Sequence, residues 1–238
     1  MTGGVPLAGA TASSAPAVAA AAEPASPAGT RVAGRSLAAA AALFWVSWLL
    51  MPGVGVTDPA RILDLVSSQR SLVAASVVVQ LVSAVLYVPA IVGIVADASA
   101  TGGVRRAAGV LLAGAMGSAA DAVLHLLAYA MTAPGLDRAP LLAVMAFMQG
   151  PGLGLLMPLV AAFFAGGAWL SRSLAACGLV PRAAARLHAV AFAIAVAGGI
   201  AASRGLVAPR VVGLAFLGLV GAAQAWTGLA LAARADRA

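Results

Sequence analysis

Three side chains at four-residue spacing, Asp121, His125 and Tyr129, are the residues of this chain best placed to do chemistry. On a helix that spacing sets them a turn apart along one face. A carboxylate and an imidazole one turn apart can pair as ions, exchange a proton, or share a cation. The stretch that carries them, Ala107 to Met131, is otherwise apolar and about 25 residues long, enough to cross a hydrocarbon core of roughly 30 Å at ~1.5 Å per helical residue. Asp121 is the one acid near the middle of any apolar run. Such a group is costly against lipid, so it must face protein or a wet cavity. Gly114 and Ser118 precede it on the same face, and small residues there let another helix approach closely.

Composition sets the frame for this face. The chain has 238 residues, of which 63% are hydrophobic and only 9% charged. Soluble domains carry about 25% charged residues, so a multi-pass membrane protein is expected. All 14 basic residues are arginine. The absence of lysine excludes a Schiff base or a lysine nucleophile. The net charge of +7 does not point to nucleic acid, because the arginines lie between long apolar runs and not in a patch with aromatics. The single cysteine, Cys177, excludes an intrachain disulfide and a cysteine-cluster metal site. Asp121 and His125 lack a visible third ligand, so no metal site is predicted. His125 and His188 lie on opposite halves of the membrane and cannot share one haem iron; His188 reads as an interfacial residue beside Arg186. No phosphate loop or catalytic signature is present, and no cofactor is expected.

Residues 1–36 are rich in Ala, Pro, Ser and Gly and read as a disordered tail. Residues 37–238 read as the membrane domain. The fold class expected is all-α, a helical bundle of six transmembrane helices. The spans are Leu37 to Met51, Ser71 to Ala96, Ala107 to Met131, Leu141 to Leu170, Leu187 to Ala202 and Pro209 to Ala232. Between the first two, Asp58 can cap a short amphipathic helix with Pro59 at its first position; Ile62, Leu65 and Val66 would share its apolar face on the membrane surface. Pro89 should kink the second span. The sequence QGPGLG, Gln149 to Gly154, should break or kink the fourth, leaving one bent helix or two half-helices.

Arginines decide the orientation. Arg31, Arg35, Arg105, Arg106, Arg172, Arg182, Arg186, Arg234 and Arg237 fall on one side; Arg61, Arg70, Arg138, Arg204 and Arg210 fall on the other. The positive-inside rule then puts both termini in the cytoplasm. With that topology Gln80, Gln149 and Trp48 share the outer half with His125, and Asp121 lies near mid-membrane. These residues and Tyr129 are the candidates for one outward-opening polar pocket.

The layout resembles a bacterial six-helix membrane family, the domain of unknown function 4386 type. The features that carry the resemblance are the first outer loop (Thr57 to Arg70), the stretch QLVSAVLYVPAIVGIV from Gln80, the turn GLVPR from Gly178, and Ala197-Gly198-Gly199 in the following span. It covers Leu37 to Ala202. The resemblance implies six helices in a bacterial inner membrane, and no functional residue carries over. Two classes of function follow. In one, the pocket binds a small molecule, lipid or ion and moves it, with Asp121 coupled to protons. In the other, the chain is a structural or assembly partner of another membrane protein or of its own copies, and Asp121 and His125 satisfy each other. The lipid bilayer is a partner in both.

Overall fold

The computed structural model describes residues 26–97 and 99–237. Every regular element among them is helical. The α-helices are α1 (Pro27–Leu50), α2 (Pro59–Ser68), α3 (Arg70–Ala96), α4 (Gly102–Met131), α5 (Arg138–Phe147), α6 (Leu153–Ala176), α7 (Arg182–Ser203) and α8 (Pro209–Ala235), with a π turn at Met148–Gly152. Six segments are long and apolar enough to cross a membrane, α5, the π turn and α6 counting as one of 39 residues. The chain is a multi-pass membrane protein.

The spans close into a ring. α1 packs between α3 and α8, α4 between α3 and α6, and α7 closes the gap against α6 and α8. One end, the terminal face, carries the start of α1, the end of α8 and the 97–101 and 177–181 connections. The opposite loop face carries the 51–58 connection, α2, and the 132–137 and 204–208 connections.

The first helix starts earlier than expected. Ser26 caps it by accepting from the Gly29 N–H at 3.3 Å. Residues 27–36, expected in the tail, are helical; residues 1–25 of that tail lie outside the described residues. The physical reason is close packing, not hydropathy. Gly34 and Gly228 face each other, and a Cβ on Gly34 would fall 2.5 Å from the Gly228 carbonyl oxygen. Ala and Gly contribute little apolar area, so a hydropathy reading misses a helix stabilised by backbone contact.

The amphipathic helix appears as α2, with Asp58 accepting from the Arg61 N–H at 2.7 Å. Its buried side chains are Leu63 and Val66. Both turn toward the bundle and join Met51, Val73, Met145 and Met148 in an apolar cluster. Ile62 and Leu65 are only half-buried. α2 therefore caps the loop face, and the Arg138 guanidinium on α5 anchors it to the Asp64 carboxylate at 2.8 Å and to the Ala60 carbonyl at 3.2 Å.

The expected break in the fourth run is a π turn. Pro151 has no N–H to donate and its ring crowds the preceding turn. Widening the turn by one residue relieves this without leaving right-handed backbone: Met148 stands at φ −60, ψ −42 and Leu153 at φ −63, ψ −38. The run therefore stays one continuous helical path, and the two-half-helix alternative is not adopted.

Phe163 sits at the centre of the bundle, its ring centroid 4.6 Å from that of Phe44 and 5.4 Å from that of Tyr87. α4 reaches it through Gly114, where a Cβ would lie 2.2 Å from the Phe163 Cα. The small seam ahead of Asp121 thus does what its composition implies, and it draws α4 onto α6.

Candidate functional site

The site lies between the central aromatic core and the Met-rich cluster under α2. Gln80, on a buried face of α3, is its organiser. The Gln80 Nε2 donates to the Asp121 carboxylate at 2.8 Å and to the Ser118 carbonyl at 3.2 Å. The Gln80 Oε1 meets Nδ1 of His125 at 3.4 Å. An amide oxygen can only accept, so any hydrogen bond across this long contact is donated by Nδ1. Asp121 and His125 themselves are 3.8 Å apart, too far for a hydrogen bond. Sequence spacing suggests a direct acid–imidazole pair. Instead one neutral amide bridges them, offering a donor to the carboxylate and an acceptor to the ring.

Gln80 is 1% exposed, yet the side chains of Asp121 and His125 are 14% and 22% exposed. Two cavities account for this. One, of about 320 Å³, lies beneath the 51–58 connection and α2, bordered by Asp121, His125, Gln149 and the methionines 51, 145 and 148. The other, of about 260 Å³, lies toward the bundle centre, bordered by Gln80, Ser118 and the rings of Phe44, Phe163, Phe164 and Phe216. Asp121, Trp48 and Leu153 border both. The carboxylate is therefore reachable from a mixed polar space on one side and an almost wholly apolar one on the other. Gly53 and Gly55 shape the roof, taking φ of +83 and +82, a region open to glycine at no steric cost.

Of the candidates named from sequence, Asp121, His125, Gln80 and Trp48 come together. Trp48 sets its ring edge-to-face with His125 at 5.6 Å, and its Nε1 is buried without a partner. Gln149 is exposed and borders only the loop-face cavity. Tyr129 does not join them. Each four-residue step overshoots a full turn by ~40°, so two steps carry Tyr129 ~80° around the helix from Asp121. Its ring instead takes the Arg70 guanidinium at 4.0 Å, and Arg70 also donates to the Tyr129 carbonyl at 3.1 Å. Tyr129 is part of a clamp holding the start of α3 to the end of α4.

A second polar cluster occupies the terminal half. Tyr87 donates to Gln224 Oε1 at 2.5 Å. The Ser171 hydroxyl meets His188 Nε2 at 3.2 Å and the Thr227 hydroxyl at 2.9 Å. His188 is thus a buried residue, 1% exposed, and not an interfacial one. α7 begins at Arg182, which puts His188 nearly two turns inside the helix. The signal available was Gln224 and Thr227 three apart on an apolar span; their partners on other helices were not readable. Ser118, which reads as a packing residue, and Met51 also carry no local signal; Met145 and Met148 stand three apart, but their meeting with Met51 was not readable.

Compared with family models, with curated proteins and with solved structures, the chain has no match.

Proposed function

We propose that the protein binds a small molecule or ion in the loop-face cavity and moves it across the membrane, with Asp121 as the proton-exchanging group. One observation carries this reading: the only acid deep in a span borders two cavities, and its one charge partner among the described residues is His125 at 3.8 Å. A carboxylate kept only for packing would be sealed and paired with a cation. Here it is held by a neutral amide, which lets it ionise or protonate without breaking a salt bridge. The location that fits is a bacterial inner membrane with the terminal face in the cytoplasm, since nine of the arginines, Arg31 to Arg237, fall on that face.

The test is carbodiimide labelling. Dicyclohexylcarbodiimide modifies protonated carboxyls inside membranes. In vesicles holding the full chain, Asp121 should be modified, more so as pH falls, and Asp121→Asn should remove that product from the peptide mass spectrum. An Asp121 that stays unmodified at every pH would sink the reading. A second reading, assembly partner, draws on a surface groove between α1 and α8 lined by small residues such as Ala41, Ala42, Gly218 and Ala222, which suits an incoming helix. It expects stable co-purification with another membrane protein and no pH-dependent labelling.

A further inference from the structure

Four of the six methionines among the described residues, Met51, Met131, Met145 and Met148, fall in the one apolar cluster at the loop face. They come from α1's end, α4, α5 and the π turn, and the local sequence groups only Met145 and Met148, three apart on one helical path. Three of them, Met51, Met145 and Met148, border the same cavity as His125 and Asp121. Methionines that only fill gaps have no need of an open space beside them or of a ring nitrogen in it. A metal-bound imidazole has its other ring nitrogen held by a second partner, and His125 Nδ1 lies 3.4 Å from Gln80 Oε1, a contact that does not involve Nε2.

We infer that the loop-face cavity is a site for a soft monovalent cation, Cu(I) or its surrogate Ag(I), held by the thioethers of Met51, Met145 and Met148 and by Nε2 of His125. Thioethers are neutral, soft donors that select Cu(I) over harder divalent ions. Among the described residues no three His, Cys, Asp or Glu side chains come together, so the further donors bordering this cavity beside His125 and Asp121 include the three thioethers. A desolvated cation within the membrane needs a counter-charge. The Asp121 carboxylate, 3.8 Å from the His125 ring, supplies one negative charge for one positive charge. The Trp48 indole beside His125 adds an aromatic wall to the cavity, of the kind that attracts cations. The cation enters and leaves as Cu(I), with no redox step.

The inference rests on the loop-face cavity being a ligand site, and it names the ligand class. Its test reads metal binding directly, apart from carbodiimide labelling. The full chain carrying Cys177→Ser, which removes the one exposed thiol on the opposite face, is titrated anaerobically with Cu(I) against a colorimetric Cu(I) chelator. One equivalent should be withheld from the chelator. Met145→Leu with Met148→Leu, a near-isosteric pair, should weaken binding at least tenfold while the thermal transition stays in place. Met116→Leu with Met157→Leu, outside this cavity, should leave binding unchanged. Ag(I) should compete and Zn(II) should not. If the chain withholds no Cu(I), or if the Met51→Leu, Met145→Leu, Met148→Leu triple variant binds as tightly as its parent, the inference is overturned. Labelling of Asp121 in the same preparation would then leave the broader ligand-site reading standing.

Discussion

The two polar clusters of this bundle hold similar side chains in opposite settings. Around Asp121 an amide, a carboxylate and an imidazole sit beside two cavities, and two of the three side chains keep some exposure. In the terminal half, Gln224, Ser171, His188 and Thr227 are each no more than 2% exposed, and Tyr87 is fully buried. Their contacts run helix to helix, α3 to α8 through Tyr87 and Gln224, and α6 to both α7 and α8 through Ser171. Polar residues in spans are thus not equivalent. Where polar groups are sealed between helices they act as glue, even with Gln224 Nε2 and His188 Nδ1 left without a hydrogen-bond partner; where one group faces space they can act on a ligand. Burial and vacancy separate the two roles, and residue type does not.

The largest expected effect attacks the close approach of α4 and α6, which seats the helix carrying Asp121 in the bundle. Gly114→Leu puts a side chain where the Phe163 backbone already stands, 2.2 Å from the first added carbon. The helices must part, and loss of folded protein in size-exclusion profiles is expected. A normal profile would mean that the α4–α6 contact is not needed to hold the site.

Next in size is the terminal cluster. Gln224→Leu removes the acceptor of the buried Tyr87 hydroxyl and should cost about 1–2 kcal/mol, the upper range for hydrogen bonds between membrane helices. Adding Tyr87→Phe removes the stranded hydroxyl and should recover part of that loss. Unfolding in mixed detergent measures both variants; no recovery in the double variant would show that the bond is not the source of the cost.

The loop-face cluster should behave in the opposite way. Asp121→Asn still offers an oxygen to the Gln80 amide, so the hydrogen bond is kept and the stability cost should stay below about 1 kcal/mol. Carbodiimide labelling should nonetheless vanish. If Asp121→Asn destabilises the protein as much as Gln224→Leu, the distinction between glue and site collapses.

The smallest effect comes from a third polar spot, Asp97 at the terminal face. Partial burial pushes its carboxyl pKa up. Hydrogen bonds from Ser99 and Thr30, with the charge of Arg234, outweigh that and hold it below the usual carboxylate range. A lowered folded-state pKa adds stability that is present above the unfolded value of ~3.9 and is lost as pH falls through the folded one. Acid unfolding curves of Asp97→Asn should therefore lie below wild type near neutrality and converge with it in that acid window. Parallel curves would mean that Asp97 adds no pH-dependent stability.

The sequence by itself determined what depends on neighbours along the chain. Lipid requires runs of about 20 apolar residues, so six spans could be counted from composition alone, and Asp58–Pro59 marked the start of α2. Helical periodicity also placed Asp121 and His125 on one seam of α4 with Gly114 and Ser118. It could not say how far that seam extends, because 3.6 residues per turn carries Tyr129 off it toward Arg70. Hydropathy likewise missed residues 27–36, whose helix rests on Gly34 meeting Gly228 across more than 190 positions of chain. Only the tertiary structure decided the rotations of α1, α3, α5, α6 and α7 about their own axes. Those rotations set Gln80 between acid and imidazole, bury His188 against Ser171, and bring Met51, Met145 and Met148 to one cavity. Each is set by contacts between different helices, and lipid, which rewards any apolar face equally, leaves no local mark of which face turns inward.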